Sequence, residues 1–192
     1  MRTAILISGR GSNMASLIEA ARTPGYPATI ALVLANRADA AGLKKARAAG
    51  VETALIESRQ FVSREDFDAA LDRRLRESRI DLVCLAGFMR ILGADFVRRW
   101  GGRMINIHPS LLPDLRGLDT HRRALAEGRR EHGCTVHFVT PELDAGEIVA
   151  QARVAVLPGD DAETLATRVL AEEHKLYPAA LATVAAALAS QG

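Results

Sequence analysis

Residues 3–21 read TAILISGRGSNMASLIEAA, a strand, a turn and a helix in succession. Thr3 to Ile7 is a short apolar run of strand length, Ser8 to Gly11 form a glycine-rich turn, and from Ser12 to about Ala21 the apolar residues recur at helical spacing. A strand that passes through a glycine turn straight into a helix opens a βα unit. The alternation continues with strand Ala28 to Ala35, helix Ala40 to Ala49 closed by Gly50, strand Glu52 to Ile56, and strand Leu82 to Ala86. Between the last two lies a helix from Ser63 to about Ser78, with Ser63 placed to cap it and Asp66 as the capping-box partner. Short Val, Ile, Leu and Ala runs alternating with amphipathic segments predict an α/β fold. Its sheet is Rossmann-like and mostly parallel, with helices on both faces.

The second half is less regular. A short helix at Ala94 to Trp100 leads to strand Met104 to Ile107, after which Pro109 and Pro113 bracket a loop that no regular element absorbs. Such loops commonly carry function. A helix at Thr120 to Glu127 precedes two β-rich runs, Thr135 to Val139 and Ile148 to Val156, joined by the polar loop Thr140 to Glu147. Asp161 to Ser190 is helical, and Pro178 inside it predicts a kink or two helices.

The chain has 192 residues, 48% hydrophobic and 25% charged, which suits one soluble domain over 1–192 and excludes a disordered chain. With 25 basic against 23 acidic residues the net charge is only +2, so no general attraction for nucleic acid or an anionic membrane is expected. Any anion is bound locally. No signal-peptide pattern precedes the first strand, and no apolar stretch approaches the ~20 residues of a membrane span. Cys84 and Cys134 stand in apolar runs, too few for a disulfide framework. A reducing, cytoplasmic setting is the expectation.

Three places could carry chemistry. Gly9, Gly11, Ser12 and Asn13 stand between a strand and a helix start, where free amides and the helix dipole suit a phosphate. The dinucleotide fingerprint is absent, because Met14 takes the place of the third glycine and the second strand ends in Asn36 rather than an acidic residue. A bare glycine turn with Ser12 as helix cap fits the same residues. Asn106 and His108, two apart at a strand end, share a face and would present a carboxamide and an imidazole to an oxyanion. A structural histidine fits there too. Asp144, in the loop Thr140 to Gly146, could orient that imidazole and favour its charged form, or simply form a turn before the glycine.

Other chemistries are disfavoured. His132, Cys134 and His137 are clustered, but strand parity puts 132 and 134 on one face and 137 on the other, so no metal is expected. Ser8 and Ser110 lack the G-x-S-x-G elbow of a serine hydrolase.

Four segments, ISGRGSNM at 7–14, LAGFMRIL at 85–92, NIHPSLLP at 106–113 and HGCTVHFVTPELDAG at 132–146, together resemble the glycinamide ribonucleotide transformylase family of folate-dependent formyltransferases. The order and spacing match over nearly the whole chain. The resemblance implies the formyltransferase fold and a purine-synthesis transferase that moves the formyl group of 10-formyltetrahydrofolate, a co-substrate, to the amine of 5-phosphoribosylglycinamide. No metal, nucleic acid or membrane partner is implied, and the expected state is a monomer or weak homodimer.

Carried over by position, the resemblance makes Asn106, His108 and Asp144 catalytic. It sets Gly11, Ser12 and Asn13 at the ribonucleotide phosphate, and Leu170, Ala171, Glu172 and Glu173 at the same substrate, with Glu173 against its amine or ribose. The folate pocket falls on Arg64, Met89, Arg90, Ile91, Leu92, Asn106 and the loop Thr140, Pro141, Glu142, Leu143 and Asp144. Met89, Ile91, Leu92 and Leu143 would hold the pterin, although ordinary core explains them equally. Residues 1–100 would form a phosphoribosyl-binding half and 101–192 a catalytic, folate-binding half. Leu115-Arg116, Asp119 and Glu147 depart from the family pattern, which bears on loop mobility.

Two rivals within the superfamily, methionyl-tRNA formyltransferase and formyltetrahydrofolate hydrolase, add a further domain to this core, for which 192 residues leave no room. A catalytically silent nucleotide-binding module would keep the Gly11 loop without needing Asn106, His108 and Asp144.

Overall fold

In the computed structural model, which describes residues 1–190, β1 (Arg2–Ile7) passes into α1 (Ser12–Ala20) as the sequence predicts. β2 (Thr29–Ala35), α2 (Ala41–Ala48) and β3 (Thr53–Leu55) extend the sheet to one side of β1. A short 3-10 turn at Ser58–Gln60 leads into α3 (Arg64–Glu77), which carries the chain back so that β4 (Leu82–Leu85) pairs with the other edge of β1. α4 (Ala94–Arg99) and β5 (Met104–His108) follow, and these five strands are parallel. After α5 (Thr120–Ala126), β6 (Glu131–Phe138) and β7 (Ile148–Ala155) add antiparallel, and α6 (Ala162–Ala189) closes the chain. The order is β3-β2-β1-β4-β5-β6-β7. Chain direction across the sheet therefore reverses between β1 and β4, which opens a crevice at the carboxyl ends of those strands, the place where α/β sheets bind ligands.

Helices do cover both faces. Ile5, Ile7, Val33, Ala35 and Cys84 pack with Met14, Leu17, Leu43 and Tyr177 on one side, while Ala4, Leu6, Leu34 and Val83 pack with Phe67, Leu71, Phe96 and Trp100 on the other. Successive strand residues feed opposite cores, which is why these strands read as continuous apolar runs.

Three local expectations need correction. The sixth strand begins at Glu131, not Thr135, because the hairpin pairs Glu131 with Ala155 and runs through His132 and Gly133. Gly133 is required there, since a Cβ would lie 2.0 Å from the Ala152 carbonyl oxygen. At α3 the Asp66 amide donates to Ser63 Oγ (3.0 Å), but the Asp66 carboxylate takes the Ser63 hydroxyl proton (2.7 Å) instead of the Ser63 backbone N–H. A reciprocal box forms in α6 instead, between Asp161 and Thr164. Finally, α6 is not divided into two helices at Pro178: it runs on through the proline, where buried Tyr177, Ala180, Leu181 and Val184 hold it on the sheet and Tyr26 donates to the Pro178 carbonyl (2.6 Å).

Candidate active site

At the crevice, Gly11 is the residue before α1, at φ +68°, a left-handed conformation that favours glycine. A Cβ at Gly11 would lie 2.9 Å from Gly42 Cα, and the Gly42 amide donates to the Gly9 carbonyl (3.0 Å), so α2 packs directly against the turn. Ser12 is the first helical residue and no side chain caps α1, so the reading of Ser12 as a helix cap does not hold. The first-turn amides of α1 have no intrahelical acceptor and face outward from a positive dipole end.

Asn13 connects this loop to α6. Its Nδ2 donates to Glu173 Oε2 at 2.6 Å, while its own Oδ1 is buried without a partner. Glu173 is buried, and that burial pushes its carboxyl above the ordinary value against the opposing pull of the Asn13 hydrogen bond. Of the other α6 candidates, Leu170 and Glu172 are half-buried, with Glu172 paired to Lys175 (2.8 Å), and Ala171 is exposed.

Asn106 and His108 lie on one face of β5, as their spacing requires. His108 is buried, and its Nε2 donates to the Leu115 carbonyl (3.0 Å) while Nδ1 faces Asp144 Oδ2 at 3.5 Å. Both ring nitrogens thus face oxygen acceptors. Asp144 sits at φ +49°, accepts from the Gly117 amide (2.9 Å), and brings its other oxygen to 3.7 Å from His137 Nε2. The contact between Asp144 and His108 expected from the sequence is therefore present, across 36 residues of chain.

His137, considered in the sequence only as a metal ligand, stands directly opposite Asn106 in the β5–β6 ladder. Asn106 Nδ2 donates to His137 Nε2 (3.2 Å), and His137 Nδ1 donates to the Phe138 carbonyl (2.8 Å), which fixes a neutral imidazole with its proton on Nδ1. Burial lowers the His137 pKa in agreement. The Asn106 amide is thereby oriented, with its second N–H left over. Only the cross-strand register reveals this partner.

The apolar candidates gather at the mouth. Met89 (65% exposed), Ile91 (68%) and Leu143 (57%) are open to solvent, whereas Leu92 is buried in the core beside Phe96, so ordinary core explains Leu92 alone. Arg90 stacks over the Phe67 ring at 4.4 Å, and Arg64 opens α3 with its side chain half exposed. Thr140 Oγ1 donates to the Glu142 carbonyl (3.0 Å), and Pro141 and Glu142 are exposed. Arg116, one of the departures from the family pattern, pairs with Glu142 at 3.0 Å and so joins the segment after Pro113 to the Asp144 loop. Asp119 precedes α5 at φ +57°, and Glu147 is exposed, its carbonyl accepting from the Phe138 amide (2.9 Å).

Among the described residues no group of three or more His, Cys, Asp or Glu side chains is arranged to hold a metal, and no helix is long and apolar enough to cross a membrane. His132 instead pairs with His121, Nε2 to Nδ1 at 3.1 Å.

The formyl transferase family model matches residues 1–181. The phosphoribosylglycinamide formyltransferase of Escherichia coli K12 is 47% identical over 178 residues, covering 93% of this chain and 84% of that protein. The human trifunctional purine biosynthetic protein adenosine-3 is 49% identical over 191 residues, and the chain spans only 19% of its length. The crystal structure of phosphoribosylglycinamide formyltransferase from Brucella melitensis superposes with a TM-score of 0.93 at 52% identity, covering 96% of this chain and 95% of that one.

Proposed function

The chain belongs to the formyl transferase family, and from that premise we propose that it is a phosphoribosylglycinamide formyltransferase of purine synthesis, using 10-formyltetrahydrofolate as co-substrate. The observation that carries this reading is the convergence of Asn106, His108 and Asp144 at the end of β5, in the same crevice as an anion-ready loop.

The acceptor phosphate sits on the amides of Gly11, Ser12 and Asn13, and Glu173 meets the ribose or the glycinamide amine. The pteridine lies against Met89, Ile91 and Leu143, with Arg64, Arg90 and the 140–144 loop framing the rest of the folate. The amine attacks the formyl carbon directly. The Asn106 amide and His108 Nε2, which exchanges its Leu115 acceptor for the developing oxyanion, stabilise the tetrahedral intermediate. Asp144 holds His108 through Nδ1 while a proton passes to the departing folate nitrogen and the amine loses one to solvent. No covalent enzyme intermediate is needed.

The phosphoribosyl site draws on both 1–100 and 101–192, through Asn13 and Glu173, and so does the folate pocket, through Met89 and Leu143. A monomer or weak homodimer in the cytoplasm suffices for this chemistry. The test is product analysis: the chain with both substrates should yield formylated acceptor and tetrahydrofolate in equal amounts. Release of free formate without acceptor formylation would instead support a hydrolase.

A further inference from the structure

Segment 87–93 carries the exposed apolar side chains of Met89 and Ile91, yet its backbone is fastened from two sides by buried polar side chains that the mechanism above does not use. Ser8, buried at the end of β1, has one hydroxyl proton and gives it to Asn36 Oδ1 (2.7 Å). Its lone pairs are left to accept from the Met89 amide, also at 2.7 Å, and the Ser8 amide donates to the Gly87 carbonyl (3.1 Å). Asn36 is itself buried, and its backbone carbonyl accepts from the Ser58 amide (3.2 Å), which ties the residue that takes the Ser8 hydrogen bond to the turn after β3. At the far end Asp68, buried on α3 one turn after Arg64, accepts from the Gly93 amide through Oδ2 (2.7 Å). A Cβ at Gly93 would lie 2.7 Å from that same oxygen, so glycine permits the approach.

We propose that Ser8, with Asp68 at the other end, is a positioning residue for the formyl donor: the two side chains hold segment 87–93 so that Met89 and Ile91 are presented before the folate arrives. This rests on the reading of that segment as part of the folate pocket. Apolar side chains on an untethered loop would fold onto the protein surface and would have to be ordered on binding, a cost that a fixed backbone removes. Ser8 is adjacent to the anion loop in sequence, but its hydroxyl points to the donor segment, so the acceptor phosphate does not depend on it.

The experiment is Ser8→Ala with both substrates varied. Loss of one buried hydrogen bond, leaving the Met89 amide without its acceptor, should raise the donor KM and the tetrahydrofolate Kd about tenfold, with the acceptor KM changed less than about twofold. In the protein without substrates, NMR amide exchange at Met89 should accelerate by about the same factor. An unchanged donor KM with unchanged Met89 exchange overturns the proposal, and so does an equal rise in both KM values. If Ser8→Ala does not fold, Asp68→Ala against Asp68→Asn decides: the asparagine keeps an acceptor for Gly93 and should restore most of the donor affinity lost in the alanine variant. Equal loss in both contradicts the clamp. Wild-type protein without formyl transfer would defeat the proposed function, whereas the amide exchange reads the clamp independently of activity.

Discussion

Asn13 and Glu173, 160 residues apart, meet at 2.6 Å and join the turn after the first strand to the last helix. This contact makes the α6 carboxylate part of the crevice, and it sets a cost, because Glu173 is buried and its pKa is raised by desolvation. Below the ordinary carboxylate value of about 4.5 the side chain is protonated whether the chain is folded or not. As pH rises above that value the unfolded chain ionises more readily, so the Glu173 contribution to stability falls.

Glu173→Gln should therefore unfold at a higher temperature than wild type near neutral pH, with the difference closing towards pH 4, while its acceptor KM rises about tenfold or more through loss of a charged partner. Thermal unfolding across pH together with steady-state kinetics checks both. A gap that stays constant with pH would mean that the Glu173 carboxyl is not raised.

Gly11→Ala puts a side chain at φ +68° and a Cβ 2.9 Å from Gly42 Cα. The left-handed conformation costs roughly 1–2 kcal/mol for an L-residue, and the turn must shift from α2 to relieve the contact. The expected result is a lower unfolding temperature and an acceptor KM raised far more than the donor KM. Equal weakening of both substrates would remove the phosphate from this loop.

His132 is nearly inaccessible, and burial, helped by His121 and Arg129, lowers its pKa to about 4. Between about pH 6.5 and pH 4 the unfolded chain takes up a proton that the folded one refuses, so stability should fall through that window by on the order of 3 kcal/mol. His132→Gln should flatten this part of the denaturant-midpoint profile. A wild-type profile that is already flat there would show that His132 charges freely in the folded protein.

How much of this was legible in the sequence depends on whether a signal is local. The βα alternation, the glycine turn and the shared face of Asn106 and His108 follow from periods of 3.6 and 2, which any short window carries. The partnership of Asn106 with His137 depends on antiparallel register, and the grip of Ser8 on Met89 depends on β1 and β4 lying side by side, so neither appears in a linear pattern. In the linear pattern Ser8 belongs to the glycine turn and lacks a nucleophile elbow, and nothing there points to segment 87–93. The start of β6 is hidden in the sequence because Glu131 and Gly133 are poor strand formers, overridden by pairing with β7. The two hydrogen-bonding directions of Ser63 and Asp66 turned on side-chain length, since aspartate is one methylene shorter than the usual glutamate.

Asp144→Asn preserves the left-handed turn, which asparagine tolerates, and can still accept from the Gly117 amide, but it removes the charge 3.5 Å from His108. The turnover number should fall roughly 10²-fold with the acceptor KM little changed, as for loss of a group that supports a general acid. An acceptor KM that rises while turnover holds would assign Asp144 to binding alone.

The most direct measurement is the rate at which purified His108→Ala, beside wild type, forms formylated phosphoribosylglycinamide from 10-formyltetrahydrofolate at saturating concentrations of both. The wild type should turn over, and the variant should be slower by roughly 10²-fold or more, with both KM values within a few-fold of wild type, because an oxyanion donor acts in the transition state. Near-normal turnover by a folded His108→Ala would contradict the account and leave His108 as a buried histidine that only ties Leu115 to the strand.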